Sequence, residues 1–329
     1  NTRFLDGATL VNRSAGAWRA GNLYLVNGAV FENAPGATLE VSAAANLWHY
    51  YNIGSAPRLR NEGVLTKTTI SHLEMSIPFE NNGIVTVAAG ELLIDSALTH
   101  RGALTVQDSA TLRFHTNATA IMAADSTVTG DGKVIFNTST SGGRPLYMSG
   151  RYLLTGETQL LNGAAVISPT ATFNTGSLWL YSGRLEAHAG ITVTNVMTWS
   201  YATLTGPGST YVDQRIVLDS GNRLLDGHTL INGGQANWLG TIRGANNAVW
   251  RNLPGATLEI LGDANTNYWE LGPQPAVVNE GTLRKVAPAT AANLSGVVTN
   301  TGVIEIISGT LNMPAGSTTT GLLQVMTDG

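Results

Sequence analysis

Carboxylates, histidines and clustered aromatics are the side chains in this sequence that could do chemistry or bind a sugar. Glycoside hydrolysis needs two carboxyl groups roughly 5–9.5 Å apart, one to protonate the leaving oxygen and one to attack or to activate water. A lyase needs a Lys or Arg base beside a metal-binding carboxylate cluster. Here the acids stand singly, at Asp95, Asp108, Asp125, Asp131, Glu157, Glu186, Asp213 and Asp219. A pair such as Asp108 with Asp125 or Asp131 would form only if the fold stacked their segments. The six histidines, His49, His72, His100, His115, His188 and His228, show no His-x-His or His-Glu-x-x-His spacing. No Gly-x-Ser-x-Gly elbow and no calcium-binding nonapeptide repeat occurs. Thr129-Gly130-Asp131-Gly132-Lys133 lacks the first glycine and the Lys-Ser/Thr ending of a phosphate loop. No catalytic residue, metal ligand or cofactor is expected from these patterns.

The aromatics are the stronger candidates. Trp48, Tyr50 and Tyr51 form one group, matched later by Tyr268 and Trp269, while Trp179, Tyr181, Trp199 and Tyr201 form another. On an exposed face such rings stack on sugars or bury a partner's surface. Turned inward they are core, the commoner fate of large aromatics.

Whatever positions these residues is built from repeats. Arg3-Phe4-Leu5-Asp6-Gly7-Ala8-Thr9-Leu10-Val11-Asn12 returns as Arg223-Leu224-Leu225-Asp226-Gly227-His228-Thr229-Leu230-Ile231-Asn232, and Trp18 as Trp238. Pro35-Gly36-Ala37-Thr38-Leu39-Glu40 returns as Pro254-Gly255-Ala256-Thr257-Leu258-Glu259. Asn61-Glu62-Gly63 returns as Asn279-Glu280-Gly281, and Asn81 with Gly83 as Asn300 with Gly302. The register holds over about 95 residues, which chance similarity does not do. The expected organisation is one continuous solenoid over 1–329, with a full module at 3–222 and the first half of a second at 223–329. His228 stands where the first copy has Ala8, so the module does not require it.

Within the module, short apolar-alternating runs are bounded by Gly, Asn, Asp, Ser or Pro. They include Ile84–Val87, Leu92–Ile94, Leu104–Val106, Thr111–Phe114, Lys133–Phe136, Leu178–Tyr181 and Ile191–Thr194. Starts about 20–24 residues apart are the spacing of β-helix coils, and no window carries a helical apolar stripe. The fold class expected is all-β, a parallel β-helix. In Asn33-Ala34-Pro35-Gly36-Ala37-Thr38-Leu39 a corner should turn Thr38 outward and Leu39 inward. Composition agrees: 43 % hydrophobic residues, only 12 % charged, and 38 glycines. A net charge of −4 offers nothing to nucleic acid. No apolar run of about 18 residues exists, so no membrane insertion is expected of this segment.

The phrases Phe31-Glu32-Asn33…Gly36…Leu39 and Phe79-Glu80-Asn81-Asn82-Gly83…Val85 resemble the coil signature of bacterial exported β-helices. These are the autotransporter passengers, filamentous adhesins and related surface proteins of pectin-lyase-like fold. The resemblance implies a right-handed helix, export and a cell-surface or extracellular place; it carries over no functional residue. The absence of cysteine fits export. The function expected is structural or adhesive, as part of a large surface adhesin or as a subunit of an extracellular fibre. Expected partners are copies of itself, end to end or laterally, and glycans or a host or cell surface. The alternative is a polysaccharide-degrading β-helix enzyme: a lyase, a hydrolase or a tailspike-like depolymerase.

Overall fold

The computed structural model describes residues 2–115, 118–138, 144–219, 221–262, 264–269, 271–287, 291–313 and 316–326. The chain is all-β, with parallel strands stacked as a β-solenoid of about 15 turns. It divides into two compact units, Asn1–Thr175 and Gly176–Gly329.

In the first unit the early coils contribute three short strands each, while Arg151–Asn162 later runs as one 12-residue strand against two strands of the coil before it. Those of the first coil are Thr2–Asp6, Thr9–Asn12 and Ala15–Trp18. They pair in parallel with Asn22–Val26, Val30–Asn33 and Thr38–Val41 of the next coil. Alternation drives the arrangement, because every second side chain of a strand points inward. Leu65, Val85, Leu104 and Val128 align on successive coils and are essentially inaccessible. Each such burial stabilises by about 1.5–3 kcal/mol. Further along, Phe114, Phe136, Tyr152 and Phe173 form an internal ring stack with centroids 5.6, 6.2 and 4.4 Å apart. The Tyr152 hydroxyl is 2.8 Å from Thr158 Oγ1, itself 2.8 Å from Thr175 Oγ1, so the polar atoms are satisfied inside the core.

The second unit repeats the scheme. Leu230, Trp250, Val277 and Val298 form an inward column, and Trp238 stacks on Trp250 at 4.9 Å.

The repeated Asn-x-Gly triplets have a physical reason. In the first unit Asn12, Asn33, Asn61 and Asn81 stack at one corner, each Nδ2 donating to the Oδ1 of the next at 2.7–2.8 Å. Asn81 Nδ2 ends the run on His100 Nδ1 at 2.9 Å. In the second unit Asn232, Asn252, Asn279 and Asn300 do the same, ending on Thr319 Oγ1 at 2.8 Å. Where a glycine stands two residues on, as after Asn61, Asn81, Asn279 and Asn300, it lets neighbouring backbones touch. A Cβ on Gly83 would lie 2.1 Å from Gly63 O, and one on Gly302 would lie 2.1 Å from Gly281 O.

The expected strands are present, from Ile84–Val87 to Ile191–Val193. Thr38 is exposed and Leu39 buried, as the corner motif requires. Coil length varies more than 20–24 residues: Ile84 pairs with Ala103, 19 residues on, and Val30 with Arg58, 28 on. The long steps accommodate loops at the corners, the first of them holding a 3-10 turn at Tyr50–Asn52.

Lys67 and Lys285 end inward positions of equivalent strands and are fully buried. Lys67 Nζ donates to Thr69 O and Ala89 O, both at 2.6 Å, and Lys285 Nζ to Ala287 O at 2.6 Å. Burial lowers the Lys67 ammonium to about 8.

Candidate functional site

In the first unit three outward residues on successive coils, Phe4, Tyr24 and Trp48, stand side by side. Their strands are held by inward Leu5, Leu25 and Leu47, which alternate with them. Phe4 stacks on Tyr24 at 5.4 Å, and Tyr24 meets Trp48 edge-on at 5.5 Å. The loop after Trp48 then folds Tyr50 back onto this column, 5.0 Å from Phe4 and 5.2 Å from Tyr24. His49 Nε2, 3.0 Å from Ile53 O, ties the loop down. Tyr51 sits at φ 46°, a left-handed conformation costly for a residue with a Cβ, and is 81 % exposed.

Tyr24, Trp48, His49, Tyr50 and Tyr51 line an open groove of about 360 Å³, joined by Glu74 and Ser76 of the adjacent coil. Ser76 Oγ donates to Glu74 Oε1 at 2.6 Å. Aromatic rings beside a carboxylate and a hydroxyl offer a sugar an apolar surface to pack on and acceptors for its hydroxyls. One coil on, the Asp95 carboxyl is held above its ordinary range. Burial is the main cause; Glu74 adds to it and His115, 3.5 Å away, opposes it.

Of the expected aromatics, Trp48, Tyr50 and Tyr51 come together here. Phe4 and Tyr24 were missed, although their spacing of 20 and 24 residues to the next ring is the coil period that would have found them. In the second unit Tyr268 and Trp269 occupy the equivalent loop. The Arg243 guanidinium lies 4.4 Å over the Trp269 ring, and the Tyr268 hydroxyl donates to Gly272 O, repeating the His49 tie. Trp179 and Tyr181 meet at 5.6 Å, and Tyr181 and Tyr201 at 6.3 Å, forming a smaller exposed patch. Trp199 does not belong to it. Its register partner is inward Leu180, its ring is wholly inaccessible and its Nε1 donates to Ala202 O at 2.9 Å. Trp199 is the last, inward residue of the strand Val196–Trp199, and Tyr201 lies in the bend beyond it. Trp18 and Trp238 are likewise core.

Several carboxylates are engaged one by one rather than paired for acid–base work. Glu157 meets Lys133 at 2.9 Å, Glu186 meets His188 at 2.8 Å and Arg184 at 3.0 Å, and Asp219 meets Arg223 at 3.2 Å. Asp125 faces Arg101 at 3.9 Å, and Asp213 accepts from the Tyr211 hydroxyl at 2.9 Å. His228 is buried between Thr210 Oγ1 and Gly206 O, and desolvation lowers it to about 4. His100 is buried too, and its imidazole is pushed below the usual range by burial. Among the described residues no three His, Asp or Glu side chains gather as a metal site would require, and no helix is long and apolar enough to cross a membrane. No protein-family model, no curated protein and no solved structure matches the chain.

Proposed function

We propose that this chain is an extracellular structural and adhesive solenoid that presents the aromatic groove of Tyr24, Trp48 and Tyr50 to a glycan. One observation carries the reading: the two copies keep the corner ladder, the buried lysine and many inward aliphatics, and change the aromatic surface that faces outward. The corner asparagines, the inward Leu39/Leu258 and Leu65/Leu283 and the buried Lys67/Lys285 all recur. Outside, Tyr24 becomes Arg243, Trp48 becomes Asn267 and Thr66 becomes Arg284. A scaffold held constant under a changing surface suits a display role, and the absence of cysteine suits export. Binding to a glycan array, with Tyr24→Ala and Tyr50→Ala as controls, tests it. Binding lost in both variants with the fold intact supports the groove; binding unchanged in both removes it.

The second reading, a polysaccharide-degrading enzyme, is favoured by Glu74 lining the groove and raising Asp95 on the adjacent coil. It requires new reducing ends or unsaturated sugars from a polysaccharide panel, abolished by Glu74→Gln. Their appearance would replace the adhesive reading.

A further inference from the structure

The outward row that carries the groove's rings continues past Trp48. Ser76 N donates to Leu47 O at 2.9 Å, Asp95 N to Met75 O at 2.9 Å and His115 N to Ile94 O at 3.0 Å. These bonds extend the parallel register of the strands Ala45–His49, Leu73–Met75, Gly90–Ile94 and Ala110–Phe114. One row thus reads Phe4, Tyr24, Trp48, Ser76, Asp95, His115, one residue per coil at steps of about 4.8 Å. Three rings give way to a hydroxyl, a carboxyl and an imidazole. Glu74, between inward Leu73 and Met75, stands two residues before Ser76 and lines the groove with it.

The charges beside this row are unevenly matched. Glu91 is held by Arg113 and lies 3.4 Å from His72 Nδ1, and Asp95 has His115 at 3.5 Å. Glu74 accepts from the Ser76 hydroxyl, and among the described residues no Lys, Arg or His forms an ion pair with it. The second copy inverts the balance at the matching positions: Arg243 stands for Tyr24, Asn267 for Trp48 and Asn293 for Glu74, while Ser295 stands for Ser76. The match is structural too. Ser295 N donates to Thr266 O at 3.2 Å, and Asn293 pairs with Asn265 as Glu74 pairs with Asn46. There the Ser295 hydroxyl turns back to Thr266 O, and Asn293 Nδ2 donates to Asn265 Oδ1 at 2.8 Å. A ring beside an acid in one copy is a cation beside a neutral amide in the other.

We propose that the groove takes a glycan carrying free amino groups, with sugar faces on Tyr24 and Trp48 and an ammonium on Glu74. The assignment rests on the glycan reading above and adds the class of sugar to it. A protonated amine brings Glu74 the counter-charge and the N–H donors that its neighbours do not supply. Hydrogen bonds to a carboxylate from such a donor are about twice as strong as neutral ones. An N-acetylated sugar presents a neutral amide at the same place, and an acidic sugar presents a like charge. Asp95, next along the row, carries the acidic character one coil further.

The test is titration calorimetry of the full chain with a glucosamine hexamer and with an N-acetylglucosamine hexamer, at about pH 6, where amines keep their proton. The glucosamine hexamer should bind about tenfold tighter or more, with an advantage that shrinks as salt is added. Glu74→Gln should bring the two hexamers to near-equal affinity without weakening the acetylated one, and Tyr24→Ala should weaken both. Equal affinities in the unaltered chain, or a preference for the acetylated hexamer, overturn the inference; if Tyr24→Ala still weakens binding, the glycan groove stands. A preference that survives Glu74→Gln overturns it as well, because the amine is then read elsewhere. Binding of both hexamers that is indifferent to Tyr24→Ala removes the groove reading and this inference with it. Failure of either hexamer to bind overturns the inference and leaves the groove to the glycan array.

Discussion

At one position of the module Tyr24 meets Tyr50 edge to face, and at the same position of the other copy Arg243 covers Trp269. Around each pair the asparagine ladder and the buried lysine recur, while the inward Leu25 and Leu47 of the first copy become Gly244 and Thr266 in the second. The difference teaches where this architecture is permissive. Outward residues contact only their neighbours along and between coils, so a ring–ring contact can be exchanged for a cation–π contact at a cost of about 1 kcal/mol or less. Inward and corner residues meet both adjacent coils at once, and a change there is felt in each.

The sharpest way to break the comparison is to cut both ladders. Asn61→Ala and Asn279→Ala each orphan a buried donor behind and an acceptor ahead, and each should cost about 2–4 kcal/mol in urea unfolding. A large cost in one and none in the other would mean that the two ladders are not equivalent.

Acid separates the copies. His228 is lowered to about 4, below the ordinary value near 6.5, so as pH falls between these values the unfolded chain binds the proton first. Stability present above about pH 6.5 is therefore lost on the way down to about pH 4, by as much as about 3 kcal/mol. Hydrogen exchange at Thr229–Asn232 should accelerate over that range. His228→Ala, which installs the first copy's residue, should abolish the change. The first unit has its own acid-sensitive point at the ladder end, where His100 accepts from Asn81 through Nδ1 and can do so only while that nitrogen is unprotonated. His100→Thr, the residue type that Thr319 supplies in the other ladder, should remove that point.

The smaller effects sharpen the surface side. Tyr24→Arg with Tyr50→Trp grafts one copy's pair onto the other; unfolding should shift by about 1 kcal/mol or less while glycan binding disappears. Retained binding would mean that the groove's rings are not what is recognised. Last, Arg284 lies between Glu259 at 3.3 Å and Glu305 at 2.7 Å, all three partly exposed. Arg284→Thr, matching Thr66, should cost less than about 1 kcal/mol, and less still in high salt.

Much of the scaffold was legible because it obeys short-range rules. Period-two alternation located the strands, and Asn61-Glu62-Gly63 with its copy stood out as a repeat, but that its asparagine bonds to the next coil and its glycine lets backbones touch came only from the structure. The groove was legible only in part. Trp48, Tyr50 and Tyr51 stand out as a cluster in sequence, but Phe4 and Tyr24 join them only through coil stacking. Trp199 shows the converse: close to Tyr201 in sequence, it ends its strand facing inward while Tyr201 lies exposed in the bend that follows. Lys67 was illegible by residue type, since alternation places it inward while its charge argues outward. The carbonyls of Thr69 and Ala89 resolve the conflict, and they belong to loops that period-two patterning does not describe.

The two ladders also have a direction. In each, every amide donates toward the C-terminal side, from Asn12 to Asn81 and from Asn232 to Asn300. The last donor of each run is met by His100 Nδ1 or Thr319 Oγ1, so both runs are closed at that end. Removing an inner asparagine therefore leaves an unmet donor on the N-terminal side and an unmet acceptor on the C-terminal side, two different defects from one substitution.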